Sequence, residues 1–208
     1  MTPSTNRPRK TLLLAAAIGA VAAWPLPVDA KRENVDKLLA AHHVNPRVAE
    51  FFGKEAVATV AASTSIEIAR LRKDPMGEAI KIDRVDKLGG DLARAFRGLL
   101  LHHGTYDLPS VGESDAKLCG GFEPAAAVRF TRAGKPPVDI ILSIKCVEGG
   151  FAAGPDLPKK LTKGATYAGW PKFRADMAPG QTRVLMLLVK AFPSDADLRA
   201  YLAAQQGN

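Results

Sequence analysis

The chain has 208 residues and a formal net charge of +8 at pH 7, from 29 Lys and Arg against 21 Asp and Glu. Aromatic residues make up 6% of the sequence and lie apart from the basic clusters, which argues against a base-stacking platform for nucleic acid. The positive charge favours contact with an anionic surface but does not require it. The partner is not identified by the sequence; an anionic surface and an envelope protein are the candidates.

The first thirty residues have the layout of a secretory signal peptide. Basic residues at positions 7, 9 and 10 precede an apolar run from Thr11 to Trp24, and Val28 and Ala30 suit a cleavage site before Lys31. The run is shorter than the roughly 20 apolar residues that cross a bilayer. We expect residues 1–30 to be removed, leaving a periplasmic or secreted domain, 31–208, with net charge +6 and no transmembrane segment. The alternative is an amphipathic or buried helix.

Two short helices are predicted next. Asn34 can cap a helix that runs to His42 or His43. Asn45, with Pro46 at the first helical position, can cap a second helix that stops at Gly53. From Ala56 to Leu71 the β-branched and small residues predict two short strands or one bent strand.

The pattern after these strands indicates a longer helix. It begins at Asp83 as the cap and ends at Gly104, with Val85, Leu88, Leu92, Phe96 and Leu99 at helical spacing. The pair Gly89-Gly90 weakens this helix by roughly 1 kcal/mol per glycine relative to alanine.

A hairpin is predicted at the centre of the chain. Residues 125–132 and 138–146 form its strands, with one buried face and one mostly wet face. Glu67, Asp139 and Glu148 are expected to be solvent-facing charges. Arg129 is expected to pair with an acidic neighbour across the hairpin; alternatively, Arg129 and Lys145 form an anion-binding face.

The last third of the chain is predicted to hold a long loop and two helices. The loop covers 149–179, a buried helix covers Thr182–Phe192, and Ser194 begins the last helix. The fold class is therefore α+β: a single domain, 31–208, whose antiparallel sheet with a central hairpin packs against several helices.

Cys119 and Cys146 are the only cysteines. Export favours a structural disulfide between them, which would close a loop of 28 residues and contribute roughly 3.6 kcal/mol through loop-closure entropy. Measured from the hairpin tip near Gly134, Cys119 lies about four residues farther out than Cys146, so the stretch 120–124 must double back or bulge for the sulfurs to meet. Buried free thiols, or a redox or metal role, are the alternatives.

No motif assigns a cofactor, and none is expected. The four histidines form the adjacent pairs His42-His43 and His102-His103, and neighbours on a helix point in different directions, so no metal site is predicted. Ser114 lies in a stretch that only loosely matches a nucleophile elbow, because the second glycine is missing. No catalytic residue is assigned.

The segment from Cys119 to Cys146 resembles an uncharacterised group of exported bacterial proteins. Members of this group carry a Cys, a Pro, an Arg-Phe strand, a turn and an apolar strand that ends in a second Cys. The matching positions are Cys119, Pro124, Arg129, Phe130, Asp139 and Cys146. The resemblance implies the hairpin and the cysteine pairing and no activity.

These observations favour an exported binding or accessory module, without an enzymatic role, whose ligand the sequence does not identify. The alternative is a periplasmic hydrolase whose site only tertiary structure would reveal. A deep pocket where polar side chains converge would indicate an enzyme, whereas a shallow face would indicate a binding module.

Overall fold

The architecture, taken from a computed structural model, is described for residues 34–108 and 121–207. Within these ranges, six strands form one antiparallel sheet in the order β2-β1-β3-β4-β5-β6, and six α-helices accompany it. The strands are β1 Ser65–Lys73, β2 Ile80–Leu88, β3 Ala126–Thr131, β4 Val138–Ser143, β5 Glu148–Ala153 and β6 Phe173–Asp176. The helices are α1 Val35–Ala41, α2 Pro46–Phe52, α3 Lys54–Ala61, α4 Gly90–Leu101, α5 Gln181–Ala191 and α6 Ala196–Gln206. The predicted α+β class is confirmed.

The predicted central hairpin is present as β3 and β4. Its register places Val128 opposite Ile140 and Arg129 opposite Asp139. The second strand ends at Ser143 rather than at Cys146, because residues 144–147 form a turn in which Val147 has a positive φ of 55°.

The first two helices begin as predicted. The side chain of Asn34 accepts a hydrogen bond from the Lys37 N–H, and that of Asn45 accepts one from the Arg47 N–H. Gly53, with φ of 92°, separates α2 from α3, and this left-handed conformation suits a residue without Cβ.

The prediction of strands from Ala56 onward is wrong for its first half. Residues 54–61 form helix α3, and β1 begins only at Ser65. Val57, Val60 and Ala61 of α3 are fully buried. Strand and helix propensities differ by about 1 kcal/mol or less per residue, so burying these side chains against the sheet outweighs the local preference.

The predicted helix from Asp83 to Gly104 is also wrong in its first part. Residues 80–88 form β2, and α4 starts at Gly90. The pairing with β1 shifts between Arg70 and Leu71, which leaves Asp83 as an extra residue in β2. This bulge places Ile82 and Val85, which are three residues apart, on the same face of β2, a spacing that resembles a helix, whereas Leu88 packs on the other face of the sheet.

The sheet is buried on both faces, contrary to the predicted wet face. On one face the helices cover a large core that includes Ile68, Val128 and Ile140. On the other face a second core contains apolar residues of the sheet and of the segment after β5: Ala69, Leu71, Ile82, Ala127, Ile141, Ala152, Leu157, Leu161 and Tyr167. This second cover explains why every residue of β4 is buried.

The predicted loop at 149–179 contains two strands, so this prediction needs correction. β5 and β6 lie near its ends, and only the residues between them cross the second face. The sequence did not predict β5 because it contains glycines, which have low strand propensity. At Gly150 a Cβ atom would lie 2.5 Å from the Phe173 carbonyl oxygen, so the close pairing with β6 requires glycine there.

The two C-terminal helices agree with prediction except in detail. α5 buries Val184, Leu185 and Leu188, but Met186 is 42% exposed, so the helix is not apolar all round. Asp195, rather than Ser194, caps α6 by accepting a hydrogen bond from the Leu198 N–H.

The contacts group Asn34–Asn208 into one unit. Within the described ranges, no helix is both long and apolar enough to span a bilayer. The predicted signal peptide, Ser114 and Cys119 lie outside the described residues.

Candidate functional site

A buried ion cluster lies between the sheet and the segment that covers its second face. Arg129 donates from Nε to Asp139 Oδ1 at 2.7 Å and from a terminal nitrogen to Oδ2 at 2.8 Å. The Tyr167 hydroxyl donates to the same Oδ2 at 2.9 Å. The side chains of Arg129 and Asp139 are 3% and 0% exposed. The predicted pairing of Arg129 is confirmed, whereas the predicted solvent-facing position of Asp139 is wrong.

In this cluster Tyr167 stays neutral and Arg129 stays charged. Burial, together with the charge of Asp139 and the hydrogen bond to it, raises the pKa of Tyr167 far above its ordinary value, so the phenol stays neutral and donates. Burial opposes the charge on Arg129, but its hydrogen bonds and ion pair with Asp139 raise its pKa nonetheless. The cluster therefore fastens the covering segment to the sheet and has no free group that could bind a ligand.

Glu148 is a second acidic residue that the structure buries, contrary to prediction. Its side chain is 5% exposed, and a carboxylate oxygen lies 3.7 Å from a terminal nitrogen of Arg174. Lys145 and Glu123 are exposed and 3.7 Å apart. Arg129 and Lys145 therefore do not form the common anion-binding face that the sequence offered as an alternative.

A second charge network joins β1 to the start of α6. Arg70 Nε donates to Asp195 Oδ2 at 2.8 Å, and both side chains are 7% exposed. Arg72 binds Asp195 at 2.9 Å, Asp197 at 2.5 Å and Asp83 at 3.0 Å. All three guanidinium nitrogens of Arg72 therefore form ion pairs. The network holds the N-terminus of α6 on the sheet.

The carboxylate at the centre of this network is strongly stabilised in its charged form. Burial alone would raise the pKa of Asp195. The hydrogen bonds from Arg70 and from the Leu198 N–H, with the charges of Arg70 and Arg72, outweigh burial and lower its pKa below the ordinary value. The hydrogen bond with Asp197 is the main cause of the raised pKa of Arg72.

An open groove of about 690 Å³ lies beside this network. Its cationic lining consists of Arg70, Arg72, Lys73 and Lys145, and its acidic lining of Glu123 and Asp197. Its apolar lining includes Pro75, Ile144, Ala200, Tyr201 and Ala204. The groove thus has charged groups and an apolar wall.

Two cations of the groove are available to a ligand. Lys73 is exposed and forms no ion pair within the part of the chain that the structure describes. Lys145 is 65% exposed and has only the long contact with Glu123. Tyr201, which is 43% exposed, provides an aromatic surface in the same groove.

The groove lacks the residue types of nucleophilic or metal catalysis. Among the described residues that line it there is no Ser, Thr, Cys or His. Its two carboxylates face Lys145 and Arg72. The arrangement can bind an anion next to an apolar group, and it offers no described nucleophile and base in contact.

The pair His102-His103 makes contacts within its own stretch of the chain. The His102 ring accepts a hydrogen bond from the Gly104 N–H and stacks on His103 with 4.8 Å between ring centroids. Within residues 34–108 and 121–207, no group of three or more His, Cys, Asp or Glu side chains is arranged to hold a metal ion.

Cys146 is buried at the end of the hairpin, with its Sγ 2.9 Å from the Gly121 carbonyl oxygen. Gly121 is two residues from Cys119 in the sequence, and two residues of chain span at most about 7 Å. The predicted bond to Cys119 is therefore compatible with the path of the described residues, and it stays a prediction.

No known protein family, curated protein or solved structure matches this chain. The resemblance to exported proteins with the Cys–Cys hairpin therefore also stays a prediction.

Sequence reasoning missed the groove entirely. Arg70 and Arg72 are two residues apart on β1, so they share a face, and this alternation was visible in the sequence. Nothing in the sequence indicated that the α6 N-terminus would lie against them, or that Tyr201 would line the same groove as Lys145.

Proposed function

We propose that this protein is an exported binding or accessory module, periplasmic or secreted, that holds a small anionic ligand in the groove between β1 and α6. Export is supported by the basic and apolar pattern of residues 7–30. The observation that carries the proposed activity is the pair of available lysines, Lys73 and Lys145, in one groove with Tyr201.

The chemistry of the lining defines the class of ligand. A phosphate or carboxylate group can contact the two lysine ammonium groups, while a flat apolar part packs on Tyr201 and the alanines of α6. Arg70 and Arg72 act as the rigid floor, because their hydrogen bonds are already used within the protein. Rigid support of this kind reduces the ordering cost of binding.

Phenyl phosphate is a suitable probe, because it combines an aromatic ring with an anion. We expect it to shift the backbone amide resonances around Lys145 and Tyr201, with millimolar affinity, in ¹⁵N-edited NMR titrations. Inorganic phosphate and phenol, which each offer half of the contacts, should bind more weakly.

A variant pair locates the binding. Lys73→Gln with Lys145→Gln should weaken phenyl phosphate binding at least about tenfold, since two charge-assisted contacts are removed. Lys37→Gln with Lys190→Gln, which changes two exposed lysines of α1 and α5 outside the groove, is the matched control and should leave the affinity unchanged. Absence of shifts in groove resonances with all three probes at millimolar concentration would refute the proposal.

A further inference from the structure

The segment that covers the second face of the sheet has a distinctive outer surface. We define it as the crossing segment, residues 154–172. It is fixed to β2 by backbone hydrogen bonds between Ile82 and both Gly164 and Ala165, at 2.7 and 2.9 Å, and by the bond from Tyr167 N–H to the Ile80 oxygen at 2.7 Å. It then returns to the opposite edge, where β6 begins at Phe173.

The crossing segment turns apolar side chains toward the sheet and its lysines toward solvent. Leu157, Leu161 and Tyr167 are buried in the second core. Its outward cations are all exposed, and none forms an ion pair in the described ranges: Lys159, Lys160, Lys163 and Lys172. Asp156 is its one acidic residue, so the segment carries a net charge of +3.

The helices on the opposite face do not share this charge. Residues 34–62, which contain α1, α2 and α3, hold three acidic and three basic residues and are neutral apart from histidine. Residues 90–101, which form α4, hold two basic and one acidic residue, and residues 181–206, which contain α5 and α6, hold three basic and two acidic residues. These three helical stretches together carry a net charge of +2 over 67 residues, whereas the crossing segment carries +3 over 19 residues.

An exposed aromatic side chain belongs to the same segment. Trp170 is 55% exposed, and its ring lies 6.2 Å from that of Phe122. The guanidinium of Arg174 lies 5.2 Å from the Phe122 ring centroid. A tryptophan with an adjacent cation suits the boundary between water and lipid, where indole side chains are enriched.

The shape of the surface points to a broad partner. The crossing segment contacts β2 at one edge and leads into β6 at the other, and six adjacent strands span about 24 Å. Its lysines are distributed along this path rather than gathered around a pocket. A plane that carries many anionic groups fits such a surface better than one compact anion does.

We propose that this face docks on a bilayer surface rich in anionic lipid headgroups, with the lysines over the headgroups and Trp170 at their level. The proposal goes beyond the ligand groove and shares none of its residues. Charge complementarity selects anionic over neutral lipid, and Trp170 favours a lipid interface over a soluble polyanion. Each lysine is expected to contribute about a factor of five to the partition coefficient.

The test uses the chain as isolated from expressing cells, carrying Trp24→Phe so that Trp170 is its single tryptophan. Binding is measured on vesicles of phosphatidylcholine alone and of phosphatidylcholine with 30–40% phosphatidylglycerol (roughly the range in which surface charge governs binding). The neutral vesicles report any contribution of the apolar N-terminal run, which is identical in all variants. We expect tighter binding to the anionic vesicles, weaker binding at higher salt, and a blue shift of Trp170 fluorescence.

Two quadruple variants that lose the same amount of charge distinguish the contribution of this face from that of the net charge of the protein. Replacing Lys159, Lys160, Lys163 and Lys172 by Gln should lower the partition coefficient by roughly a hundredfold or more. Replacing four cations of the helices by Gln should lower the partition coefficient only a few-fold. These cations are Lys37, Arg183, Lys190 and Arg199. Circular dichroism checks folding, and the same four lysines replaced by Arg should keep binding.

Equal losses in the two quadruple variants, or equal binding to neutral and anionic vesicles, would overturn the proposal. It would also be overturned if a DNA oligonucleotide or an anionic polysaccharide bound with higher affinity than vesicles and produced the same Trp170 response. If the quadruple lysine variant does not fold, Lys159→Gln with Lys160→Gln decides the outcome, with an expected loss of roughly 20-fold or more.

Discussion

Arg129 and Asp139 illustrate what burial does to individual charged residues. Their pair is bidentate and lies between the sheet and the crossing segment, next to the second core. Removing both charges from water costs several kcal/mol per ion, and the geometry must return that energy through close contacts. Tyr167 supplies a third hydrogen bond to the carboxylate, so its oxygens face donors on both the sheet and the crossing segment.

Asp139→Asn should destabilise the protein by about 3–5 kcal/mol, because it leaves the Arg129 guanidinium buried without a compensating charge. Tyr167→Phe should cost only about 1 kcal/mol, since it removes one hydrogen bond and leaves the ion pair intact. Urea titrations of both variants and the wild type measure these differences.

The double variant Arg129→Met with Asp139→Leu is the informative control. It removes both charges and keeps apolar volume, so it should be more stable than Asp139→Asn alone. If the single and double variants were equally destabilised, the cost would come from lost shape rather than from an unpaired charge.

At the scale of elements, α6 depends on one carboxylate for two tasks. Asp195 caps the helix through the Leu198 N–H and binds Arg70 and Arg72 of β1. The helix itself has few buried residues, with Leu198 the one fully buried side chain. Its attachment to the sheet therefore relies on charge as well as on apolar packing.

Asp195→Asn should reduce stability at neutral pH by about 2 kcal/mol, because asparagine caps as well as aspartate but cannot pair with arginine. The lowered pKa of Asp195 means that its stabilisation is complete above its unfolded-state pKa of about 4. The stabilisation is lost as the pH falls through the lower folded-state pKa. The difference between wild type and variant should therefore shrink below about pH 4 in urea titrations run from pH 7 to pH 2.

Asp197→Asn provides the comparison at the same helix end. Asp197 is 57% exposed, so its ion pairs are screened by water and its loss should have a smaller effect. A constant difference between wild type and Asp195→Asn from pH 7 to pH 2 would contradict the assigned role of the Asp195 charge.

For the whole molecule, the sheet lies between a layer of helices and the crossing segment. This arrangement gives two cores, one on each face of the sheet. A domain of this size buries enough surface to fold without a disulfide, although a disulfide would add stability.

We predict that the protein is exported and that Cys119 and Cys146 form a disulfide in it. Replacing both by Ser should lower the free energy of unfolding by about 2–5 kcal/mol and leave the protein folded. A peptide map under non-reducing conditions identifies the bond, and urea titrations measure its contribution. Free thiols at both positions would refute the bond, and unchanged stability of the double variant would refute its structural role.

Local signals predicted several elements correctly. Asn34 and Asn45 with Pro46 marked helix starts, because capping depends on residues within one turn. The hairpin of β3 and β4 and the helix α5 were also predicted. In the hairpin the paired residues lie between 8 and 16 positions apart along the chain, and the capping contacts lie within one helical turn.

The predictions from sequence are wrong where contacts between residues distant along the chain determine the local structure. The bulge at Asp83 shifts the alternation of β2, and this shift is set by pairing with β1. The glycines of β5 suggested a loop, although strand pairing on both sides holds them extended. Buried Asp139 and Glu148 were predicted to face solvent, because the covering layer comes from residues outside the hairpin.

The sequence by itself determined the α+β class, the central hairpin, the starts of α1 and α2, and the pairing of Arg129 with an acidic neighbour. Each follows from spacing and capping within short stretches of chain. Only the tertiary structure decided that both sheet faces are covered, that α6 meets Arg70 and Arg72, and that unpaired lysines share one surface with Trp170. These features depend on which apolar surfaces of distant segments bury one another, and burial energy is not encoded by local spacing.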